Sequence, residues 1–186
     1  MPESEDKTIA EEIAKGIEHG GMAYHDVPEF GIKGRRDNEH RLKQLNLGDL
    51  TGKTVMDIGC NSGWFCKKAI ELGAAWSFGY DRQVVVNAAK KINHMPGVSL
   101  FGRDVNQLTS ESIGGPVSII LFLSMFKLLG LPHFLSVADH LVMENNSTRF
   151  EDYIFFRLHR LGFSRVEHCG YTTDFGKRSI IKAWKK

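Results

Sequence analysis

Three acidic residues and a pair of glycines are spaced along the middle of this chain so that they could hold a nucleoside bearing a charged tail. Gly59 and Gly63 punctuate the stretch Val55-Met56-Asp57-Ile58-Gly59-Cys60-Asn61-Ser62-Gly63-Trp64-Phe65. Glycine at these positions lets the backbone turn sharply and a ligand approach it closely. The N-terminus of a following helix offers unpaired N–H groups to a carboxylate or phosphate. Asp57, at the end of the apolar run before the turn, can accept from an ammonium group. Asp81 lies 18 residues beyond Gly63, where a carboxylate can accept both hydroxyls of a ribose. Asp104, in Arg103-Asp104-Val105, can accept from an exocyclic amine such as that of adenine. Any one of these is an ordinary turn or loop acid, but at three successive strand ends they mark a site.

The surrounding pattern supplies those strand ends. Thr54–Ile58 reads as a short apolar strand and Gly63–Leu72 as a helix stopped by Gly73. Ala74–Tyr80 is a strand leading into Asp81, Val84–Ile92 a helix with Pro96-Gly97 beyond it, and Val98–Phe101 a third strand. Val117–Leu123 is the apolar strand expected at the centre of a parallel sheet buried on both faces. Pro132–Ala138 reads as a short helix and His140–Glu144 as a fifth strand. Thr148-x-x-Glu151 is a capping box opening a helix that ends at Leu161-Gly162. Phe163–His168 and Arg178–Trp184 are strands joined through Asp174-Phe175-Gly176. The fold class is therefore α/β: a Rossmann-like, doubly wound, seven-stranded sheet with an antiparallel C-terminal hairpin strand.

Ahead of the sheet, Thr8-x-x-Glu11 is a second capping box, followed by Ile9, Ile13 and Ile17 at helical spacing, with a stop near Gly20-Gly21. Asp37 caps a second helix carrying Leu42 and Leu45. Residues 1–50 read as an N-terminal helical extension that folds over the pocket, and residues 51–186 as the ligand-binding domain.

Composition bounds the rest. The chain has 186 residues, 24 Lys+Arg against 22 Asp+Glu, and is 42% hydrophobic, which suits one domain with a sizeable core rather than a disordered chain. Its longest apolar run, Val117 to Leu131, is interrupted by Ser118, Ser124, Lys127 and Gly130, too short and broken to span a membrane. Glu3, Glu5 and Asp6 stand where a secretory signal carries positive charge, so a soluble, cytoplasmic protein is expected. Cys60, Cys66 and Cys169 form no CxxC pair, and the histidines show no HExxH spacing, so neither a disulfide framework nor a metal site is expected. The last thirty residues are basic, which leaves RNA contact open. Oligomeric state is not fixed by the sequence.

The glycine spacing departs from the GxGxxG fingerprint of dinucleotide binders. At this point the sequence resembles the class I S-adenosylmethionine-dependent methyltransferases: "VMDIGCNSGWF" looks like their first motif, "GYDRQ" the second, and "GRDV" the adenine-side motif. The resemblance covers about residues 51–186. It implies S-adenosylmethionine as cofactor, with Asp57, Gly59, Cys60, Asn61 and Gly63 at the methionine part. Asp81 and its neighbour Arg82 would lie at the ribose, Asp104 and Val105 at the adenine, and Leu123 at the close of the fourth strand. A looser resemblance, carried by "MAYHDVPEFGIKGRRDNEHRLKQL", "FLSMFK" and "VMENN", is to the group around the tRNA wobble-uridine carboxymethyltransferases. Those enzymes carry a large RNA-binding portion that this chain has no room for, so the relationship is one of domain type.

Methyl transfer from a sulfonium is an in-line displacement, for which an enzyme mostly positions the nucleophile and excludes water. A base is needed only when the acceptor carries a proton. The candidates for that role are Lys127, Glu144 and His25, with Tyr24, Arg35, Ser124 and Met125 as acceptor-binding residues. No Asn/Asp-Pro-Pro-Tyr/Phe run follows the fourth strand, which disfavours methylation of an exocyclic base amine by that route. A small molecule or an RNA base is favoured over a protein as acceptor. An NAD-dependent oxidoreductase and a non-catalytic cofactor-binding module remain as alternative readings.

Overall fold

The computed structural model describes residues 10–18, 23–126, 130–146 and 150–185. Its strands are β1 (Thr54–Ile58), β2 (Trp76–Asp81), β3 (Val98–Gly102), β4 (Val117–Leu123), β5 (Ala138–Asn145), β6 (Arg165–Thr172) and β7 (Arg178–Trp184). They form one seven-stranded sheet in the order β3-β2-β1-β4-β5-β7-β6. The first five run parallel, while β7 inserts antiparallel between β5 and β6. The helices are α1 (10–16), α2 (Asn38–Leu45), α3 (Trp64–Glu71), α4 (Gln83–Ile92), α5 (Ser110–Ile113) and α6 (Glu151–Arg160). Among the described residues no helix is long and apolar enough to cross a membrane.

The central strand shows why the sheet is covered on both sides. Ile119, Leu121 and Leu123 of β4 pack with Leu45, Phe65 and Ala69 of α2 and α3. Ile120 and Phe122, pointing the other way by the two-residue strand period, pack with Ile154 and Leu158 of α6. Each such side chain, once fully buried, stabilises the fold by about 1.5–3 kcal/mol. The extension joins this body through its own cluster, in which Ile13, Ile17, Ala23 and Val27 meet Ala88 of α4.

The sequence reading differs from the structure in several places. The sixth strand, expected over Phe163–His168, runs over Arg165–Thr172: the Phe163 N–H donates to the Leu158 carbonyl at the end of α6 (3.2 Å), and its ring enters the core. Pro132–Ala138 is a 3₁₀ turn over His133–Val137, with Ala138 already in β5. The cap of α2 is as expected, the Asp37 carboxylate accepting from the His40 N–H at 2.9 Å. Thr8, Gly20, Gly21, Lys127 and Thr148 lie outside the described residues.

Contact between α1 and α4 is tight at Gly16, where an added Cβ would run into the Ala88 Cβ. Although alanine favours a helix over glycine by about 1 kcal/mol, Gly16→Ala should loosen the extension, read as faster proteolysis within residues 10–18. Gly16→Ala combined with Ala88→Gly should restore protection. Equal protection in Gly16→Ala and wild type would show that α1 is held elsewhere.

Candidate functional site

The loop after β1 is built by its own backbone. Gly59 and Gly63 sit at φ 75° and 74°, a region open to glycine at little cost. Asn61, at φ 48°, is one of the few non-glycine residue types that tolerate it. The Gly59 and Cys60 N–H groups both donate to the Tyr80 carbonyl, at 2.8 and 3.1 Å, so they tie the loop to β2 rather than face a ligand. Asp81 then pins it from the side: one carboxylate oxygen accepts from the Asn61 N–H and the other from the Arg82 N–H, both at 2.8 Å. That orients the Asp81 carboxylate at the strand end. The Arg82 side chain points to solvent.

Behind the loop the Cys60 side chain packs against β2, not into the pocket. A Cβ on Gly79 would lie 2.5 Å from the Cys60 Cβ and 3.0 Å from the Cys66 Sγ. Burial drives both thiols up, well above the ordinary thiol range. In front of the loop, the Met125 thioether lies across Gly59, whose added Cβ would be 2.6 Å from the sulfur.

Buried polar atoms beside the loop lack a hydrogen-bond partner. The Asn61 Oδ1 is one, while its amide donates to the Ile17 carbonyl of the extension at 3.1 Å. The Asn93 Oδ1 is another, its amide donating to the Gly63 carbonyl at 3.1 Å, and the Asp57 carboxyl at the end of β1 is 2% exposed. Burial, against the opposing pull of Arg41 and with a smaller push from Asp81, raises its pKa to about 7. Orphaned atoms such as the two Oδ1 are rare in folded interiors and point to a missing partner. Asp104, at the end of β3, is exposed and accepts from its neighbour Asn106 through backbone and side chain, both at 2.9 Å, with Val105 buried behind it.

A second assembly sits at the ends of β4 and β5. Glu144 is 0% exposed. Its Oε1 accepts from Arg36 Nη2 (3.1 Å), Arg41 Nε (3.0 Å) and Thr172 Oγ1 (2.6 Å). Its Oε2 accepts from Arg41 Nη2 (2.8 Å), from the Ser124 hydroxyl and, at 3.4 Å, from Arg178 Nη1. Burial alone would raise the Glu144 pKa, but Arg41, Arg36 and these hydrogen bonds together hold it far below the usual carboxylate range. These contacts leave Glu144, expected as a proton acceptor, with its lone pairs engaged by cations. His25 is engaged as well. Its Nδ1 bonds the Ser62 hydroxyl at 2.8 Å, and burial with Arg41 and Arg36 keeps the ring neutral and out of solvent. Lys127 lies outside the described residues.

The same assembly gathers the residues expected to meet the acceptor. Ser124 adopts φ 65°, a strained conformation for serine of the kind that clusters at functional sites. The Tyr24 hydroxyl accepts from Arg36 Nη1 at 2.6 Å. Burial would raise the Tyr24 pKa, yet Arg41, Arg36, a bond with Ser124 and Arg178 bring it down overall. Arg35 lies over the Tyr24 ring, 5.4 Å from its centroid. Leu123 is buried under the sheet rather than at the surface of the pocket. Arg36 was expected, with Tyr24, His25 and Arg35, to fold over the pocket; Arg41, Thr172, Asp174 and Arg178 were not singled out from the sequence as site residues. Arg41 alone left a signal, sharing the buried side of α2 with Asn38 and Leu45. A groove between the extension and α3, lined by Glu29, Glu39, Lys67 and Lys68 and reaching Ser62 of the loop, is spanned by ion pairs of Lys67 with Glu29 and Lys68 with Glu39. Among the described residues no group of His, Cys, Asp and Glu is gathered as metal ligands.

Asp57 makes a testable contribution to stability. A carboxyl near 3.8 when unfolded and about 7 when folded destabilises the folded state as pH rises from about 4 to about 7. Asp57→Asn should thus be more stable than wild type at about pH 8, by roughly 2–4 kcal/mol, with the difference vanishing near pH 4. Denaturant unfolding across that range checks it, and parallel profiles for the two proteins would refute the buried acid.

No family model matches the chain. A stretch of 40 residues, 22% of the chain, is 52% identical to ribosomal protein L11 methyltransferase of Escherichia coli, and the match spans only 14% of that protein's length. Among solved structures, magnesium protoporphyrin IX methyltransferase from Synechocystis PCC 6803 with bound S-adenosylmethionine is similar over 81% of this chain and 77% of its own, at 22% identity and TM-score 0.58. The ribosomal protein L11 methylase of Lactobacillus delbrueckii subsp. bulgaricus aligns over 80% and 78%, at 15% identity and TM-score 0.61. An S-adenosylmethionine-dependent methyltransferase from Mesorhizobium loti aligns over 78% and 96%, at 16% identity and TM-score 0.60. With its antiparallel β7 between β5 and β6 and these likenesses, the chain has the fold of the class I S-adenosylmethionine-dependent methyltransferases.

Proposed function

We propose that this protein is an S-adenosylmethionine-dependent methyltransferase whose acceptor, a small molecule or an RNA base, binds at the carboxyl ends of β4 and β5 and the start of β7. The observation that carries the reading is the buried Asp57 carboxyl and the unpartnered Asn61 Oδ1, beside a carboxylate, Asp81, held at the next strand end. Asp57 would take the cofactor's ammonium, Asp81 its ribose hydroxyls, and the loop from Gly59 to Gly63 would lie along its methionine part. Asp104 and Val105 would flank the adenine. When bound, the cofactor supplies an electrophilic methyl group on a sulfonium.

The chain's own contribution is placement and dryness. Ile17 and His25 tie the extension to the loop through Asn61 and Ser62, so residues 1–50 would close over the pocket and exclude water. Met125, across Gly59, would have to shift to admit the cofactor and would then wall the pocket. Ser124 and Tyr24 stand at the end of β4, where an acceptor would meet them. Among the protic groups there, Tyr24 has its pKa lowered by the surrounding arginines against the opposing effect of burial.

Calorimetry should show S-adenosylmethionine binding and no comparable binding of NAD; the reverse order would end this reading. Asp81→Ala should weaken that binding about tenfold or more, from the loss of charge-assisted hydrogen bonds. Because an ammonium partner favours ionised Asp57, affinity should rise with pH up to about 7 and level off above it, and binding below that pH should release a proton. A flat profile would remove Asp57 from the cofactor site.

A further inference from the structure

Four arginines, Arg35, Arg36, Arg41 and Arg178, surround the acceptor end of the site, against two carboxylates, Glu144 and Asp174. Arg36 is committed to both acids, Arg41 holds Glu144 through two of its nitrogens, and Arg178 reaches Ser124 Oγ at 2.5 Å and Glu144 at 3.4 Å. Arg35 differs. It makes no ion pair among the described residues, and its Nε is buried without a hydrogen-bond partner. Its guanidinium is held by two rings, 5.4 Å from the Tyr24 centroid and 5.0 Å from that of Phe175. Phe175, on the turn between β6 and β7, is 45% exposed, so this clamp opens to solvent. Arg36 lies over the same rings, at 5.4 and 5.9 Å, but is engaged by acids. A guanidinium held over aromatic rings without an ion pair keeps its N–H donors for an oxyanion, which it can bind in bidentate fashion.

We propose that Arg35, clamped by Tyr24 and Phe175, receives an anionic oxygen group of the acceptor, a carboxylate or a phosphate on a small molecule. This rests on the methyltransferase reading, with the acceptor at the end of β4 and the start of β7. The local surplus of positive charge gives an anion a favourable field, and the buried Nε makes the site incomplete without a partner. A single clamp with its companion arginines turned inward suits one small anion rather than the several phosphates of a nucleic acid strand.

The test uses the full chain saturated with S-adenosylhomocysteine and three probes: benzoate, phenyl phosphate and the neutral benzamide. Calorimetry or ligand-observed NMR should show at least one anion bound about tenfold or more tightly than benzamide. Arg35→Gln should abolish that preference, while Arg165→Gln, on the far edge of β6, should keep it. Tighter benzoate would assign a carboxylate, and tighter phenyl phosphate a phosphate. Equal affinity for all three probes, no binding of any, or an unchanged preference in Arg35→Gln would overturn the proposal. So would an oligoribonucleotide that binds more tightly than either anion with a steep salt dependence. Binding of S-adenosylhomocysteine is measured on the same samples: its absence with the anion preference intact would sink the methyltransferase reading alone, and its presence without the preference would sink the anion site alone.

Discussion

One carboxylate holds together parts of the chain that the sheet alone does not join. Glu144, wholly buried at the end of β5, accepts six hydrogen bonds from five side chains drawn from the extension, α2, the end of β4, β6 and the start of β7. A lone ionised carboxylate in such a place would be prohibitively unfavourable, and removing one member of a buried pair typically costs about 3–5 kcal/mol. The arrangement is tolerable only because every donor arrives together. Glu144 therefore couples the extension to the hairpin, adding to the contacts that the extension makes with α4 and with the loop after β1. Arg36, on the extension, bridges Glu144 and Asp174.

The cofactor end follows a different logic. There the backbone of one loop is fastened to β2 through the Tyr80 carbonyl and the Asp81 carboxylate, and the thiols of Cys60 and Cys66 fill the space that a side chain at Gly79 would need. Support comes from behind and below, leaving the front of the loop to Met125 and the extension. One end of the site is thus fixed by packing and the other by charge. The Asp57 and Arg41 side chains lie between them and influence one another.

The chain's pattern of residues reveals these two ends unequally. The glycine turn and the acids at Asp57, Asp81 and Asp104 are readable because a nucleoside site on such a sheet draws its residues from successive strand ends, at regular intervals along the chain. The strand order is readable in outline for the same reason. The Glu144 assembly is not, because Arg36 and Asp174 are 138 residues apart and Arg41 and Glu144 are 103 apart. No local period links them. Glu144 reads as an acid closing an apolar strand, and nothing near it in the chain shows the arginines that occupy it. The start of β6 was missed for a smaller reason: Phe163 looks like a strand residue, yet it closes the end of α6 by a backbone bond to Leu158.

The place of β7 has a consequence for the order of events during synthesis. Although it follows the other six strands of the sheet in the chain, it lies inside the sheet, and Ile180, Ile181 and Ala183 are fully buried on its two faces. A nascent chain that has emerged only through β5 carries an open hydrogen-bonding edge along Ala138–Asn145 and an acidic residue still waiting for Arg178 and Thr172. Such an edge invites pairing with other chains. Until β7 has left the ribosome and slid into its slot, the protein has much of its hydrophobic interior but not its finished sheet, and that interval is when a chaperone would matter most.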